Sequence, residues 1–229
     1  MNTPNVVGQI FEQIAPHYDR FNDLFSLGLH RLWKRQALAL VKPKPGERWL
    51  DLCCGTGDLA LALANYLRPT GYVVAIDSAA APLQIARNRA NFLPWLNINW
   101  LQADVLNLPI LKTYFDGAIM AYGLRNLAEP ALGLRVLHQL LASHGRAVVL
   151  DFNRSAGAAG KFQQWALKEV VVPVAHQFGF GEQYAYLEES ISRFPDGKQQ
   201  EQIAFEVGFQ KAKHRSLAGG LMGALVLEV

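Results

Sequence analysis

The sequence predicts an α/β fold: a seven-stranded, mostly parallel sheet covered on both faces by helices and closed by an antiparallel hairpin. Three observations predict it. Short apolar runs alternate with helical segments between residues 48 and 151, as successive strand–helix–strand units require. Within the first unit, Asp51-Leu-Cys-Cys-Gly-Thr-Gly-Asp58 leads a buried strand through a glycine turn straight into a helix, the layout of a nucleotide-cofactor site. The last two apolar runs, Lys211 to Leu217 and Gly223 to Val229, are joined through Gly219-Gly220 and read as a hairpin.

Residues 5 to 40 read as helical, in at least two pieces separated near Pro16. Val6, Ile10, Phe11 and Ile14 share one face at helical spacing, and a second run extends from Phe21 to Leu40. Lys42-Pro-Lys-Pro-Gly46 ends this N-terminal cap, residues 1–45. The strands follow at Trp49 to Leu52, Tyr72 to Ile76, Ile98 to Leu101, Gly117 to Ala121 and Ala147 to Leu150. Helices are expected at Asp58 to Leu67, Pro82 to Phe92 and Glu129 to Leu141, with a turn at Gly145. Residues 158–195 form a helical insertion, broken near Pro173 and around Gly179 to Gly181. A helix at Lys198 to Val207 stops at Gly208. Together these make one domain spanning residues 1–229, without internal repeats.

With 51% hydrophobic and 18% charged residues, the 229-residue chain is not a disordered one. A formal net charge of +3, with basic residues scattered apart from Arg31, Lys34 and Arg35, argues against nucleic acid. The two cysteines, Cys53 and Cys54, are adjacent, read as small apolar filler, and fit a reducing compartment. The six histidines show no metal-ligand spacing, so no metal is expected. No signal peptide is read, and no apolar run approaches the roughly 18 residues of a membrane span. A cytoplasmic location is expected, with peripheral contact at a membrane surface and homo-oligomerisation left open.

In an open parallel sheet, ligands lie beyond the carboxyl ends of the strands. Polar residues collect there: Asp51, Gly55, Thr56, Gly57, Asp77, Asp104, the Tyr122 to Asn126 segment, and Asp151 to Arg154. Asp77 stands 20 residues beyond Gly57, where a carboxylate accepts both hydroxyls of a ribose. Asp104 is placed to receive an adenine amino group; the alternative for such an aspartate is a turn or helix cap. Nicotinamide enzymes and S-adenosylmethionine enzymes share this layout. Asp51 separates them, because a carboxylate beside the loop repels a pyrophosphate but suits a sulfonium and an ammonium.

The Leu-Asp-Leu-Cys-Cys-Gly-Thr-Gly-Asp58 stretch resembles the first motif of class I S-adenosylmethionine-dependent methyltransferases, whose Rossmann-like seven-stranded sheet also ends in an antiparallel hairpin. A narrower resemblance lies in Phe11-x-x-Ile-Ala-Pro-x-Tyr-Asp19, Asn22-Asp-x-x-Ser-Leu-Gly-x-His-Arg-x-Trp-Lys34, Tyr122-Gly-Leu-Arg-Asn126 and Tyr186-Leu-x-x-Ser-Ile191. These are similar to motifs of the quinone C-methyltransferases of ubiquinone and menaquinone biosynthesis. Leu150-Asp-Phe-Asn153, Val171-Val-Pro-Val-Ala175 and Gly219-Gly-x-Met-Gly-x-Leu-Val226 resemble the cyanobacterial and chloroplast branch. That branch methylates 2-phytyl-1,4-naphthoquinone on the way to phylloquinone. The chain departs at His144-Gly-Arg, where Lys-Pro-Gly-Gly is usual, and at Ala121, where serine is common.

The resemblance implies S-adenosylmethionine held by Asp51, Gly55, Thr56, Gly57, Asp77, Asp104, Val105 and Ala121, and a prenylated (phytyl) naphthoquinol as acceptor. Arg125 and Asn126 are the expected catalytic pair, stabilising the quinol oxyanion. A salt bridge of Arg125 with Asp19 or Asp151 is the structural alternative. Tyr18, a third catalytic candidate whose alternative is an amphipathic core residue, and Asn22 are expected to hydrogen-bond a substrate oxygen. Tyr122 is placed beside the substrate, as is His30, a base candidate whose alternative is packing with Trp33. Phe21, Phe25, Leu29 and Trp33, with Trp165, Phe178, Phe180 and Phe194, are expected to line a channel for the tail; core packing is the alternative for each. The competing classes are a demethylmenaquinol or polyprenyl benzoquinol methyltransferase, a nicotinamide-dependent oxidoreductase and a methyltransferase-like binding module.

Overall fold

A computed structural model describes residues 12, 26, 28–108, 114–154, 160, 165, 168–169, 172–177 and 181–229. The five parallel strands are β1 (Arg48–Leu52), β2 (Tyr72–Asp77), β3 (Ile98–Gln102), β4 (Phe115–Ala121) and β5 (Leu141–Phe152). The hairpin is β6 (Lys211–Leu217) and β7 (Met222–Glu228). The sheet order is β3-β2-β1-β4-β5-β7-β6, with β7 antiparallel to both β5 and β6. This is the predicted class I methyltransferase sheet. Chain order reverses between β1 and β4, so the crevice at their carboxyl ends is the expected ligand position.

Side chains alternate across the sheet, and both faces are buried. Leu50, Leu52, Ala118, Met120, Ala147 and Val149 enter one core; Trp49, Ile119, Val148 and Leu150 enter the other. The helices that cover them are α1 (Leu29–Val41), α2 (Asp58–Leu67), α3 (Ala80–Ala90), α4 (Pro130–Leu140), α5 (Val172–Gln177), α6 (Gly181–Arg193) and α7 (Gly197–Val207). α1 packs on β5 and β7, burying Ala37, Leu38 and Val41 in the same core as Trp49 and α2. Asp196 and Gln199 form a reciprocal capping box at the start of α7.

Three boundaries differ from expectation. The helical run predicted from Phe21 to Leu40 is interrupted at Gly28, whose φ of 74° is left-handed, and α1 starts only at Leu29. Helix α3 begins at Ala80 rather than Pro82, because Glu12 receives the N–H groups of Ala80 and Ala81 and caps the earlier start. The turn expected at Gly145 is carried inside β5. Phe115 pairs with Leu141 and Gly117 with Arg146, so Asp116 alone faces residues 142–145, and His144 turns to a φ of 65°. The break expected near Pro173 adjoins residues 170 and 171, which lie outside the described residues; α5 is described from Val172. The first helical piece, expected from residue 5 to the separation near Pro16, lies outside the described residues except for Glu12, which is helical.

Candidate active site

The glycine turn is built by backbone contacts that bind it to β2. Cys53 leaves β1 with a φ of 58°; the N–H of Cys54 donates to the Ile76 carbonyl at 3.0 Å, and that of Gly57 to the Cys54 carbonyl at 2.9 Å. The two glycines do different jobs. A Cβ on Gly57 would stand 2.9 Å from both Ala86 and Trp100, so this glycine lets the turn pack against α3 and β3. A Cβ on Gly55 would meet no atom within 4 Å, so its bare backbone faces open space where a ligand can approach. The Cys53 side chain packs where a Cβ on Gly123 would be, 2.7 Å away, which agrees with its reading as filler.

Asp77 holds this turn. Its Oδ2 accepts the Gly55 N–H at 2.7 Å and its Oδ1 the Ala79 N–H at 2.9 Å. Burial pushes its carboxyl above the ordinary range, against these backbone donors. Each oxygen retains a lone pair for a ribose hydroxyl. Asp104 takes the turn-forming alternative: it caps Val105–Asn107 through the Leu106 N–H at 2.9 Å and the Asn107 amide at 2.8 Å. The Val105 side chain is buried in the core. Thr56 is buried, and its carbonyl accepts from Arg89 at 2.8 Å.

Asp51 and Asp58 show opposite electrostatics seven residues apart. Asp51 shares its sheet face with Trp49, is 1% exposed, and its Oδ2 is buried without a hydrogen-bond partner. Burial pushes its pKa up to about 8, with Lys34 drawing it down only in part. Asp58, at the start of α2, receives Lys34 at 3.0 Å and Arg89 at 2.6 Å. Burial raises its pKa, but the two cations outweigh burial and hold it at about 2.

After β4, the chain turns sharply at Tyr122, whose φ is 59° and whose N–H donates to the Leu150 carbonyl at 2.7 Å. Its ring lies 5.8 Å from that of Phe152 and 5.9 Å from the Lys34 ammonium. The Asn126 amide closes the turn onto the Tyr122 carbonyl at 2.8 Å. Arg125 is buried, with Nε 3.0 Å from Asp151 Oδ1, Nη1 donating to Asn126 Oδ1, and the guanidinium 5.5 Å from the Phe152 ring. The salt bridge weighed as the alternative for Arg125 therefore exists, with Asp151 as partner.

His30 is 4% exposed and its Nδ1 lies 2.9 Å from the Ser26 hydroxyl. Phe194 is 2% exposed within the core, so it packs rather than lining a channel. Leu29 and Trp165 are exposed, and Trp33 is packed against the core beneath α1. Ala121 ends β4 half-buried, beside Leu150. Tyr18, Asn22, Phe21, Phe25, Phe178 and Phe180 lie outside the described residues. Among the described residues, no group of three or more His, Cys, Asp or Glu could hold a metal ion. The contributions of Lys34, Arg89 and Glu12 were not assigned from the sequence; only Lys34 carried a signal, as the last residue of the His30-Arg-x-Trp-Lys34 motif.

The residues fit S-adenosylmethionine. A buried carboxyl with one unpartnered oxygen stands ready for an ammonium, an open glycine backbone for the body of the ligand, and Asp77 for the ribose. A model of the ubiE/COQ5 methyltransferase family matches residues 2–226. The chain belongs to that family. It is a methyltransferase, and S-adenosylmethionine is its cofactor. The chain is 46% identical over 225 residues to a 2-phytyl-1,4-naphthoquinone methyltransferase of a Nostoc species, covering 97% of this chain and 98% of the relative. It is 38% identical over 221 residues to the chloroplastic 2-phytyl-1,4-β-naphthoquinone methyltransferase of Arabidopsis thaliana, covering 95% and 85%. The fold is also that of an S-adenosylmethionine-dependent methyltransferase from Aquifex aeolicus, at a TM-score of 0.67 and 16% identity over 92% of this chain and 97% of that one. A Thermotoga maritima methyltransferase has a TM-score of 0.69 and 17% identity over 97% and 99%.

Proposed function

We propose that the chain methylates a ring carbon of 2-phytyl-1,4-naphthoquinol, the last methylation toward phylloquinone. The observation that carries this reading is the 46% identity, spread over nearly the full length of both chains, to a relative named for that substrate. The geometry is in keeping with it, since the glycine turn and the Tyr122–Asn126 turn meet at one crevice.

The cofactor supplies an electrophilic methyl group. A quinone ring is electron-poor, so the reduced quinol is the acceptor, and loss of a quinol proton raises electron density at the attacking carbon. The chain's task is to align that carbon and hold the developing oxyanion. Arg125 has five N–H donors in a planar fork. Asp151 and Asn126 orient it, and its remaining donors serve the quinol oxygen, with water taking the proton. Tyr18 and Asn22 complete the substrate contacts from the cap.

The tail resides in a bilayer, and we place the membrane-facing surface on α1. There Leu29 and Leu32 are 45% and 48% exposed beside the basic residues Arg31 and Arg35. Among the described residues no helix is long and apolar enough to cross a membrane.

The test is methyl transfer from labelled S-adenosylmethionine to naphthoquinols and benzoquinols carrying phytyl or longer prenyl tails, each offered reduced and oxidised. Preferred labelling of reduced phytyl naphthoquinol is expected. Preference for a benzoquinol or for a longer tail would move the substrate assignment, and transfer to the oxidised ring would overturn the mechanism.

A further inference from the structure

Lys34 has more charge than its one ion pair uses. Its side chain is only 13% exposed, and its ammonium lies 3.0 Å from Asp58 Oδ2. Asp58 already has a second cation on its other oxygen, Arg89 at 2.6 Å. The Asp58 carboxylate is thus shared between two cations. The Lys34 ammonium has three donors, and the Asp58 contact uses one. It also stands 5.9 Å from the centre of the Tyr122 ring, so it reaches from α1 to the turn after β4.

An unsatisfied acid oxygen stands at the same end of the sheet. Asp51 comes from β1, on the sheet face that α1 and α2 cover, and its Oδ2 is buried without a hydrogen-bond partner. Among the charges that act on Asp51, Lys34 is the leading one that favours the carboxylate. Lys34 reaches both the start of α2 and the Tyr122 turn, the two segments that flank the carboxyl end of β1, where Asp51 stands. An α-amino acid end is the complementary ligand, because its ammonium and carboxylate are fixed on one carbon.

We propose that Lys34 binds the carboxylate of the methionine part of S-adenosylmethionine, while Asp51 receives its ammonium. The proposal rests on the cofactor assignment. It makes the cap helix a part of the cofactor site and not only a cover for the substrate. The same lysine, held by Asp58, ties α1 to the glycine turn.

The experiment is calorimetric binding of S-adenosylmethionine and of decarboxylated S-adenosylmethionine, which keeps the sulfonium and the ammonium but lacks the carboxylate. The wild-type chain should prefer the intact cofactor by about 10-fold or more, the size of a charged hydrogen bond. In Lys34→Met that preference should collapse to near unity, and Lys34→Arg should retain part of it. The ratio is the readout because loss of Lys34 also disturbs Asp51 and weakens both ligands. An unchanged ratio in Lys34→Met overturns the proposal and leaves Lys34 a structural ion-pair residue. Equal binding of the two compounds by wild type overturns it without any variant. Wild type that binds neither compound overturns the cofactor assignment itself, and the proposal with it.

Discussion

Arg125 and Asp151 form an ion pair sealed from solvent, with Nε and Oδ1 3.0 Å apart and side chains 7% and 3% exposed. The Arg125 backbone N–H adds a 3.2 Å hydrogen bond to the same carboxylate. Burial pushes Asp151 above the usual carboxylate range, and Arg125 pulls it back only in part. Removing one partner of such a pair leaves a buried group uncompensated, at a cost of about 3–5 kcal/mol. Arg125→Ala and Asp151→Ala should each lower the urea midpoint, and the double variant should recover part of the loss. Arg125→Lys, which keeps the charge and loses the planar fork, should reduce kcat with little change in cofactor affinity. Parallel loss of affinity and turnover would remove Arg125 from the chemistry.

Asp77 links the glycine turn to the cofactor through Gly55. Asp77→Ala should weaken S-adenosylhomocysteine by about 1.5–3 kcal/mol, the worth of a charged hydrogen bond. Calorimetry measures this directly. Unchanged affinity would confine Asp77 to holding the turn.

The Asp51 carboxyl, with a pKa of about 8, is largely protonated at neutral pH before ligand binds. Its folded value lies above its ordinary value of 3.8, so it destabilises the fold increasingly as pH rises from about 4 to about 8. A ligand ammonium favours the carboxylate, so binding should release a proton at pH 7. Titrations in buffers of different ionisation enthalpy should show that release, and affinity for S-adenosylhomocysteine should strengthen from pH 6 to 8. Asp51→Asn should abolish the proton release; a release that persists would assign it to another group.

His214 is shifted the other way. Its Nε2 is buried without a hydrogen-bond partner, and its ring fills space where a Cβ on Gly197 or Gly223 would stand. Burial lowers its pKa, with Lys213 adding to this and Glu201 and Asp196 opposing it. A depressed histidine contributes fully above its unfolded pKa, near 6.5, and its contribution is lost as pH falls through the folded value. The urea midpoint should therefore drop between pH 7.5 and 5.5, and His214→Gln should shrink that drop. An equal drop in the variant would place the acid sensitivity elsewhere.

For the surface of α1, flotation with vesicles containing anionic lipid should carry the chain upward. Leu29→Ser with Leu32→Ser, or Arg31→Gln with Arg35→Gln, should reduce the floated fraction while cofactor binding persists. Flotation unaffected by either pair would remove α1 as the membrane-facing surface.

Much of this molecule is legible in its residues, for a physical reason. Parallel strands buried on both faces must be short apolar runs, and Trp49 to Leu52, Tyr72 to Ile76 and Gly117 to Ala121 are such runs. Turn residues mark their ends, so the glycine turn, Asp51 and Asp77 could be placed at one edge before any coordinates. Local backbone contacts override sequence spacing at the margins: Gly28 breaks a run that periodicity joins, and Asp116 faces a bulge where a turn was expected.

The sequence by itself determined the sheet, the motif at the end of its first strand, the family and so the cofactor. Only the tertiary structure decided how charges pair across long separations. Lys34 meets Asp58, Arg89 reaches the same carboxylate, and Arg125 turns to Asp151. Nothing in local propensity encodes those partners, because they come from different elements that meet only when the cap helix and the turns close on the sheet. It is this closure that leaves Gly57 packed, Gly55 open and the Asp51 Oδ2 buried without a partner.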